Sequence, residues 1–91
     1  MMGSPQRQHN GEIVALLECA MIDAALAKVE TARDVLTIDM HVSFMQAATG
    51  TLVATAKTVG GGKSVCFCEA TLVGGDGAIC SQATGTFRYV K

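Results

Sequence analysis

The sequence predicts an α+β domain in which one long central helix is wrapped by a four-stranded antiparallel sheet, in the chain order α-β-β-β-β. Three observations lead to this prediction. The chain has 91 residues, of which 49% are apolar, and this is enough for one small domain with a single core. An uninterrupted run of helix-forming residues stands near the N-terminus. After it, segments with alternating apolar and polar residues are separated by glycine-rich turns.

The helix is predicted from Ile13 to Val29, where the chain reads IVALLECAMIDAALAKV. This run is rich in Ala and Leu and contains neither Pro nor Gly, which favours a helix. Its apolar residues are distributed almost all the way round the helix. Such a pattern is typical of a helix enclosed by protein, so we expect it to lie at the centre of the domain.

The first strand is predicted from Leu36 to Phe44, because apolar and polar residues alternate strictly over these nine positions. One side of this predicted half-buried strand carries the apolar residues Leu36, Ile38, Met40, Val42 and Phe44. The other side carries the polar residues Thr37, Asp39, His41 and Ser43.

Three further strands are predicted over residues 51–59, 64–73 and 78–90. The glycines at 60–62 indicate a hairpin between the first two of them, and Gly74-Gly75-Asp76-Gly77 indicates another turn. The economical arrangement is an antiparallel meander that curves around the helix. Such a sheet has two free edges. We expect one of them to pair with its symmetry mate in a dimer with a continuous sheet, although periodicity does not identify which edge.

Composition excludes several classes of function. The formal net charge is −1, which argues against nucleic-acid binding, because such binding needs clustered Lys and Arg. No stretch reaches the roughly 20 apolar residues that cross a bilayer, and residues 1–8 have no apolar signal-peptide core. We therefore predict a cytoplasmic protein that does not bind membranes. We expect residues 1–8 to form a disordered tail, with a cloning remnant in residues 1–4, and residues 9–91 to form one domain.

The four cysteines, Cys19, Cys66, Cys68 and Cys80, do not form the CxxC pairs of a zinc site. Cys66 and Cys68 are two residues apart in a predicted strand, so they share one face and are interpreted as small core residues. We predict no metal site and no cofactor.

Glu18 is the one charged residue between Ile13 and Ile22. Burying an unpaired carboxylate costs several kcal/mol, so its position needs a reason. One interpretation is that Glu18 lies on a narrow solvent-facing stripe or pairs with a cation. The other is that it is a carboxylate at the rim of a cavity, where it takes part in proton transfer or nucleophilic attack.

The segment His9-Asn10-Gly11 precedes the predicted helix. Unpaired N–H groups and the positive end of the helix dipole stabilise a carbonyl oxygen that acquires negative charge, so this is a place for an oxyanion hole. Ordinary helix capping by Asn10 and Gly11 is the alternative. Glu18 lies seven residues after Gly11, which is about two helical turns, and is therefore on a similar side of the helix.

The residues HNGEIVALLECAM resemble the motif of hotdog-fold acyl-CoA thioesterases of the phenylacetate-degradation and 4-hydroxybenzoyl-CoA type. The segments TIDMHVSFMQAATGTLVATAKTV and GGKSVCFCEATLVGGDGAICSQATGTFRYV resemble the subsequent strands of that family. The resemblance covers nearly the whole chain from His9. It implies a hotdog fold and hydrolysis of an acyl-CoA thioester, with coenzyme A as part of the substrate.

The resemblance also implies roles for particular residues. Glu18 matches the catalytic carboxylate, which acts either as general base or as nucleophile, and His9, Asn10 and Gly11 match the motif whose backbone N–H groups polarise the thioester carbonyl. Thr37 matches a hydroxyl residue that the family often brings in from the neighbouring protomer.

For coenzyme A, the resemblance points to Lys63 and its neighbours Gly62 and Ser64 as the phosphate-binding turn, although a solvated turn lysine is an equal alternative. It further implies that the strand from Val35 to Met45 pairs between the protomers of a homodimer or homotetramer.

The sequence departs from the family in two ways. Asn10 stands where the family has its first motif glycine, and only eight residues stand before His9, so we expect the chain to lack the strand that usually precedes the motif. These departures keep open the alternative of a non-catalytic module that binds acyl-CoA or is purely structural. A hotdog dehydratase or hydratase, which would use His9 or His41, ranks below both.

Overall fold

The computed structural model describes residues 10–90, so the expected tail and His9 lie outside the described residues. The helix α1 spans Asn10–Lys28. The strands are β1 (Asp34–Phe44), β2 (Val53–Gly61), β3 (Val65–Val73) and β4 (Ile79–Val90). All strand pairs are antiparallel. The α+β class and the order α-β-β-β-β are therefore confirmed, and the arrangement is the hotdog fold that the resemblance implies.

One face of α1 packs against the sheet. Ile13, Leu17, Met21 and Ala25 are its buried residues, and their i, i+4 spacing places them in a single row along the helix. On the opposite side, Leu16 is 41% exposed. The expectation of a helix enclosed on all sides is therefore wrong for a single chain, because four strands curve around only one side of it.

The sheet has the order β1-β4-β3-β2. The predicted hairpins between β2, β3 and β4 are confirmed, but the complete meander is wrong, because β1 pairs with β4. The connection between β1 and β2 runs past the ends of the other strands. Along this path the amide of Met45 donates to the carbonyl of Cys80 over 2.8 Å, and the amide of Gly75 donates to the carbonyl of Thr49 over 3.0 Å. These contacts carry the chain to the far edge of the sheet.

A one-residue bulge interrupts β1. Thr37 is paired with Phe87 and Asp39 with Thr86, so that Ile38 is an extra residue in β1 with no counterpart in β4. A bulge of this kind changes which residues face each side of the strand.

The bulge changes the predicted facing of β1. Before it, Val35 is buried with 5% exposure; after it, Met40 and Val42 pack against the core. Leu36 and Ile38 are instead 57% and 55% exposed. The prediction of one uninterrupted apolar face from Leu36 to Phe44 is therefore wrong, because it assumed a regular strand.

A second bulge lies in β2. Thr58 is paired with Cys68 and Gly60 with Phe67, which leaves Val59 as the extra residue. Beyond it, Gly61 has a φ of +110°, and a Cβ at this position would clash with the carbonyl oxygen of Val65. Only glycine fits this conformation and this close approach.

The core lies between α1 and the concave face of the sheet. Cys66 and Cys68 are buried in it, as predicted, with their Sγ atoms 3.7 Å apart. Tyr89 fastens the C-terminal half of α1 to β4, because its hydroxyl donates to the carbonyl of Ala25 over 2.8 Å. In the described part of the chain, the helix does not combine the length and hydrophobicity that a membrane span requires.

Candidate active site

Glu18 and Thr37 are joined by a hydrogen bond. The Thr37 hydroxyl donates to Oε2 of Glu18 over 2.7 Å. The resemblance implied a hydroxyl from a neighbouring protomer, whereas this contact forms within one chain. Two side chains that are 19 positions apart in the sequence are thus brought together by the packing of β1 beside α1.

The surroundings of Glu18 bear on one part of the first interpretation, the pairing with a cation. Glu18 is half-buried, and it is adjacent in sequence to the fully buried Leu17. Among residues 10–90 the ion pair that forms joins Lys57 to Glu69, so no described cation pairs with Glu18. A half-buried carboxylate held by a hydroxyl is consistent with the rim of a site, and one of its two oxygens remains available to another group.

Asn10 and Gly11 form the first turn of α1, and both are exposed. The first four N–H groups of a helix have no partner within the helix. A Cβ added at Gly11 would meet no heavy atom within 4 Å, and Gly11 does not have a positive φ. Neither internal packing nor backbone conformation therefore requires a glycine at this position, and its backbone is open to an approaching molecule.

The helix sets the separation between this turn and the carboxylate. Seven residues advance about 10 Å along the axis and return to nearly the same side. Gly11 and Glu18 therefore lie along one line of the helix, with Thr37 on the neighbouring strand. This line, together with Thr37, is the candidate site.

The predicted phosphate-binding residues Gly62, Lys63 and Ser64 are exposed in the turn between β2 and β3. Within one chain they lie at the opposite edge of the sheet from Thr37. Three strand spacings, or about 14 Å, separate the two edges. The structure does not bring this turn to Glu18, and its role stays a prediction.

A cavity of about 450 Å³ opens beside the exposed side of α1. It is lined by Glu12, Ala15, Leu16, Cys19, Gly50 and Leu52. Neither Glu18 nor Thr37 is among these residues, and Leu52 precedes β2, which is the opposite edge of the sheet from β1. This cavity was not predicted from the sequence, because Gly50 and Leu52 belong to the connection before β2 and carry no local sign that they meet the helix.

The reactive side chains of His41 and Cys68 lie away from the candidate site. His41 is exposed on the outer face of the sheet, in a cleft with Glu69 and Thr84. Burial raises the pKa of the Cys68 thiol to about 12, with a further contribution from Cys66. This thiol therefore stays neutral and is a poor nucleophile. No group of three or more metal-binding side chains forms within residues 10–90.

Comparison with known proteins gives one matching family model. The model is described as the thioesterase superfamily, and it matches residues 7–81, which is most of the chain. Curated proteins give no match.

Several solved structures are similar to the chain. A thioesterase family protein from Silicibacter pomeroyi is 26% identical with a TM-score of 0.85, and the match covers 92% of this chain and 65% of that one. A Bacillus halodurans protein solved with CoA is 23% identical with a TM-score of 0.88, and the coverages are 97% and 63%. A thioesterase from Haemophilus influenzae is 19% identical with a TM-score of 0.89, and the coverages are 99% and 64%.

The similarity to the Bacillus halodurans and Haemophilus influenzae structures shows the fold alone, because their sequence identities to this chain are low. The chain spans less than two thirds of the length of these three structures.

Proposed function

Because the chain belongs to the thioesterase superfamily, we propose that it hydrolyses an acyl-CoA thioester with Glu18 as its catalytic carboxylate. The observation that carries the proposal is the hydrogen bond from Thr37 to Glu18. It orients a half-buried carboxylate on the side of α1 that also presents Gly11. Acyl transfer to water requires a carboxylate that activates the water and N–H groups that hold the carbonyl oxygen, and here the two groups lie about two helical turns apart on one side of α1.

In the general-base mechanism, Glu18 takes a proton from water while the water oxygen attacks the thioester carbonyl carbon. The hydrogen bond from Thr37 engages Oε2, so Oε1 is the oxygen that faces the water. The tetrahedral intermediate then collapses, the C–S bond breaks, and the coenzyme A sulfur leaves with the proton that Glu18 had accepted. In the nucleophilic alternative, the carboxylate attacks the carbonyl carbon, the C–S bond breaks with release of the coenzyme A thiolate, and water hydrolyses the resulting anhydride to regenerate the carboxylate.

The helix N-terminus supplies the electrostatic part of the proposal. Negative charge develops on the carbonyl oxygen as the tetrahedral intermediate forms, and N–H groups aimed at that oxygen lower the barrier. The open backbone at Gly11 allows the oxygen to approach, and Asn10 and His9 complete the motif. Asn10 adds a side chain where the family has glycine, so we expect a narrower space for the carbonyl.

We propose that the acyl group enters a pocket beside α1. A structural neighbour solved with CoA supports a coenzyme A thioester as the substrate class. The finer assignment, to the phenylacetate-degradation and 4-hydroxybenzoyl-CoA type, rests on the sequence resemblance.

A homodimer completes this proposal. Leu36 and Ile38 are more than half exposed on the edge strand β1, where pairing with a second β1 would cover them and extend the sheet. In such a dimer the partner's turn with Lys63, Gly62 and Ser64 is the proposed contact for the coenzyme A phosphates.

The test is release of free thiol from a panel of acyl-CoA thioesters. Glu18→Gln is expected to lower kcat by about 100-fold or more, because it removes the group that accepts or attacks in the chemical step. Asp23→Asn is the matched control, since Asp23 is an exposed carboxylate on the same helix, and its kcat should stay within about twofold. Circular dichroism verifies that both variants fold. Equal rates for the two variants would remove Glu18 from the mechanism.

The second candidate is a module that binds acyl-CoA without turnover. It is favoured by Asn10, which places a side chain where the family motif has a glycine. This candidate predicts no thiol release from any acyl-CoA, together with a higher melting temperature when coenzyme A is present, because a ligand that binds the native state stabilises it.

A further inference from the structure

We propose that the bulge at Ile38 is a positioning device that makes Thr37, and no other residue of β1, face Glu18. The effect of the bulge on catalysis rests on the proposed function. Its effect on which residue faces Glu18 rests on the strand register alone. Bulges near functional sites commonly re-aim a side chain.

The register shows what the bulge achieves. From Asp39 to Phe44, β1 runs in regular pairing with β4, and Met40 and Val42 face the core. A regular strand continued backwards from Asp39 would pair Ile38 with Phe87 and Thr37 with Arg88. Because successive residues face opposite sides, Ile38 would then point towards the helix and Thr37 away from it.

The extra residue reverses this facing. With Ile38 set aside, Thr37 is paired with the buried Phe87, and its hydroxyl reaches Glu18 at 2.7 Å. With Ile38 present in the chain, Thr37 meets Glu18 because Ile38 is left unpaired and does not take the position opposite Phe87.

The exposure of two apolar side chains, Leu36 and Ile38, disfavours the bulged strand relative to a regular one. The regular register would turn Leu36 and Ile38 inwards, whereas in the bulged strand they are 57% and 55% exposed. Burial of large apolar side chains is favourable. Burial of Val35 stabilises the bulged strand in part, because Val35 is 5% exposed there and would turn outwards in the regular register. The hydrogen bond to Glu18 would be lost at the same time.

Two single-residue deletions separate the alternatives. Deleting Ile38 gives a regular strand in which Thr37 is still opposite Phe87. Deleting Leu36 gives a regular strand of the same length, with Val35 still opposite Tyr89, in which Ile38 is opposite Phe87 and Thr37 faces outwards. Each deletion removes one exposed apolar residue, so the two variants are matched controls for one another.

Thiol release from an acyl-CoA is the first measurement. Both deletions alter the β1 edge through which the protomers are proposed to pair, so their kcat values are compared with each other, at protein concentrations where both variants are dimeric. Deletion of Leu36 is expected to give a kcat about tenfold or more below that of the Ile38 deletion, the effect of losing one hydrogen bond to a charged group. Adding Ile38→Thr to the Leu36 deletion returns a hydroxyl to the position opposite Phe87, and is expected to restore kcat to within about threefold of the Ile38 deletion. A purely structural role of the bulge would not produce this rescue.

A variant of unchanged length guards against misfolding of the deletions. The double substitution Thr37→Ile with Ile38→Thr preserves composition, and is expected to lose as much kcat as Thr37→Val. Full activity of this variant would overturn the inference, because it would mean that β1 had slipped by one residue. Equal kcat values for the two deletions, both folded, would overturn it as well.

The second measurement does not depend on activity. Nuclear Overhauser contacts between the Thr37 methyl group and the Phe87 ring are expected in the unmodified chain and after deletion of Ile38. After deletion of Leu36, contacts from Ile38 to Phe87 should replace them. If the unmodified chain hydrolyses no acyl-CoA, the proposed function fails, but the contacts between Thr37 and Phe87 still test the strand register. If it is active but Thr37 does not contact Phe87, the inference alone fails.

Discussion

The two edge strands of the sheet carry the same backbone irregularity with different consequences. Each has one extra residue, Ile38 in β1 and Val59 in β2, and these residues are similarly exposed at 55% and 54%. In both strands the bulge reverses which residues face the helix. A threonine directly precedes each extra residue, Thr37 in one strand and Thr58 in the other.

The two bulges lead to different local structures. In β1 the reversal directs the Thr37 hydroxyl to a carboxylate on α1. In β2 the residue turned inwards after the bulge is Gly61, which is paired with Cys66. No side chain fits at this position, and the strand then enters a tight turn. A bulge is therefore not evidence of a functional site by itself. The residue that it turns inwards, and the group which that residue meets, decide its role.

The largest expected effect is at the β2 edge and concerns stability. Gly61→Val should reduce the free energy of unfolding by about 3 kcal/mol, because a side chain at positive φ is strained and also clashes with the backbone. Urea denaturation measures this loss. Gly62→Ala is the matched control, since Gly62 has open space around it and no positive φ, and a change within about 0.5 kcal/mol is expected. Equal losses would mean that β2 does not end in a glycine-specific turn.

The next effect concerns association. Leu36→Lys combined with Ile38→Lys should raise the dimer Kd by about 100-fold, or about 2.8 kcal/mol, because like charges would meet across the paired β1 strands. Val53→Lys combined with Val59→Lys introduces the same charge at the β2 edge, where Val53 is 53% exposed, and should leave Kd unchanged. Analytical ultracentrifugation distinguishes the two. Dissociation by the β2 pair instead would place the interface at the other edge.

The smallest effect concerns catalysis and uses the two threonines. Thr37→Val should lower kcat about tenfold, about 1.4 kcal/mol in the barrier, because Glu18 loses its hydrogen-bond donor. Thr58→Val makes the same chemical change beside the other bulge, where Thr58 is paired with Cys68, and kcat should stay within about twofold. Thiol-release kinetics compares them. A larger loss for Thr58→Val would contradict the functional difference between the two edges.

The sequence predicted the elements of this fold well, because their signals are local. The Ala- and Leu-rich run marks α1, and the glycines at 60–62 mark the hairpin between β2 and β3. The pairing of β1 with β4 was missed, because it depends on how residues 45–52 run past the strand ends. The bulge at Ile38 was missed because strict alternation from Leu36 to Phe44 is what a regular strand shows. The change of facing at Thr37 is visible only in its pairing with Phe87 and its hydrogen bond to Glu18, and neither partner is close to Thr37 in the sequence.

The candidate site was predicted in part. Glu18 stands out in the sequence as a lone charge in an apolar helix, and its half-buried position gives that signal a physical reason. Thr37 was identified only through resemblance, since a polar residue on an alternating strand normally faces solvent. The cavity beside Leu16 and Leu52 had no sequence signal at all, because one side of it belongs to a connection without periodicity.

The position of β1 also bears on the order in which the protein folds. Asp34 is paired with Val90, so the first strand and the last meet across 56 positions of the sequence. The three later strands are joined by short turns and close small loops, which is fast, whereas docking β1 requires a long loop to close. We therefore expect β1 to dock onto β4 after β2, β3 and β4 have paired, so that the candidate site takes its final form late in folding.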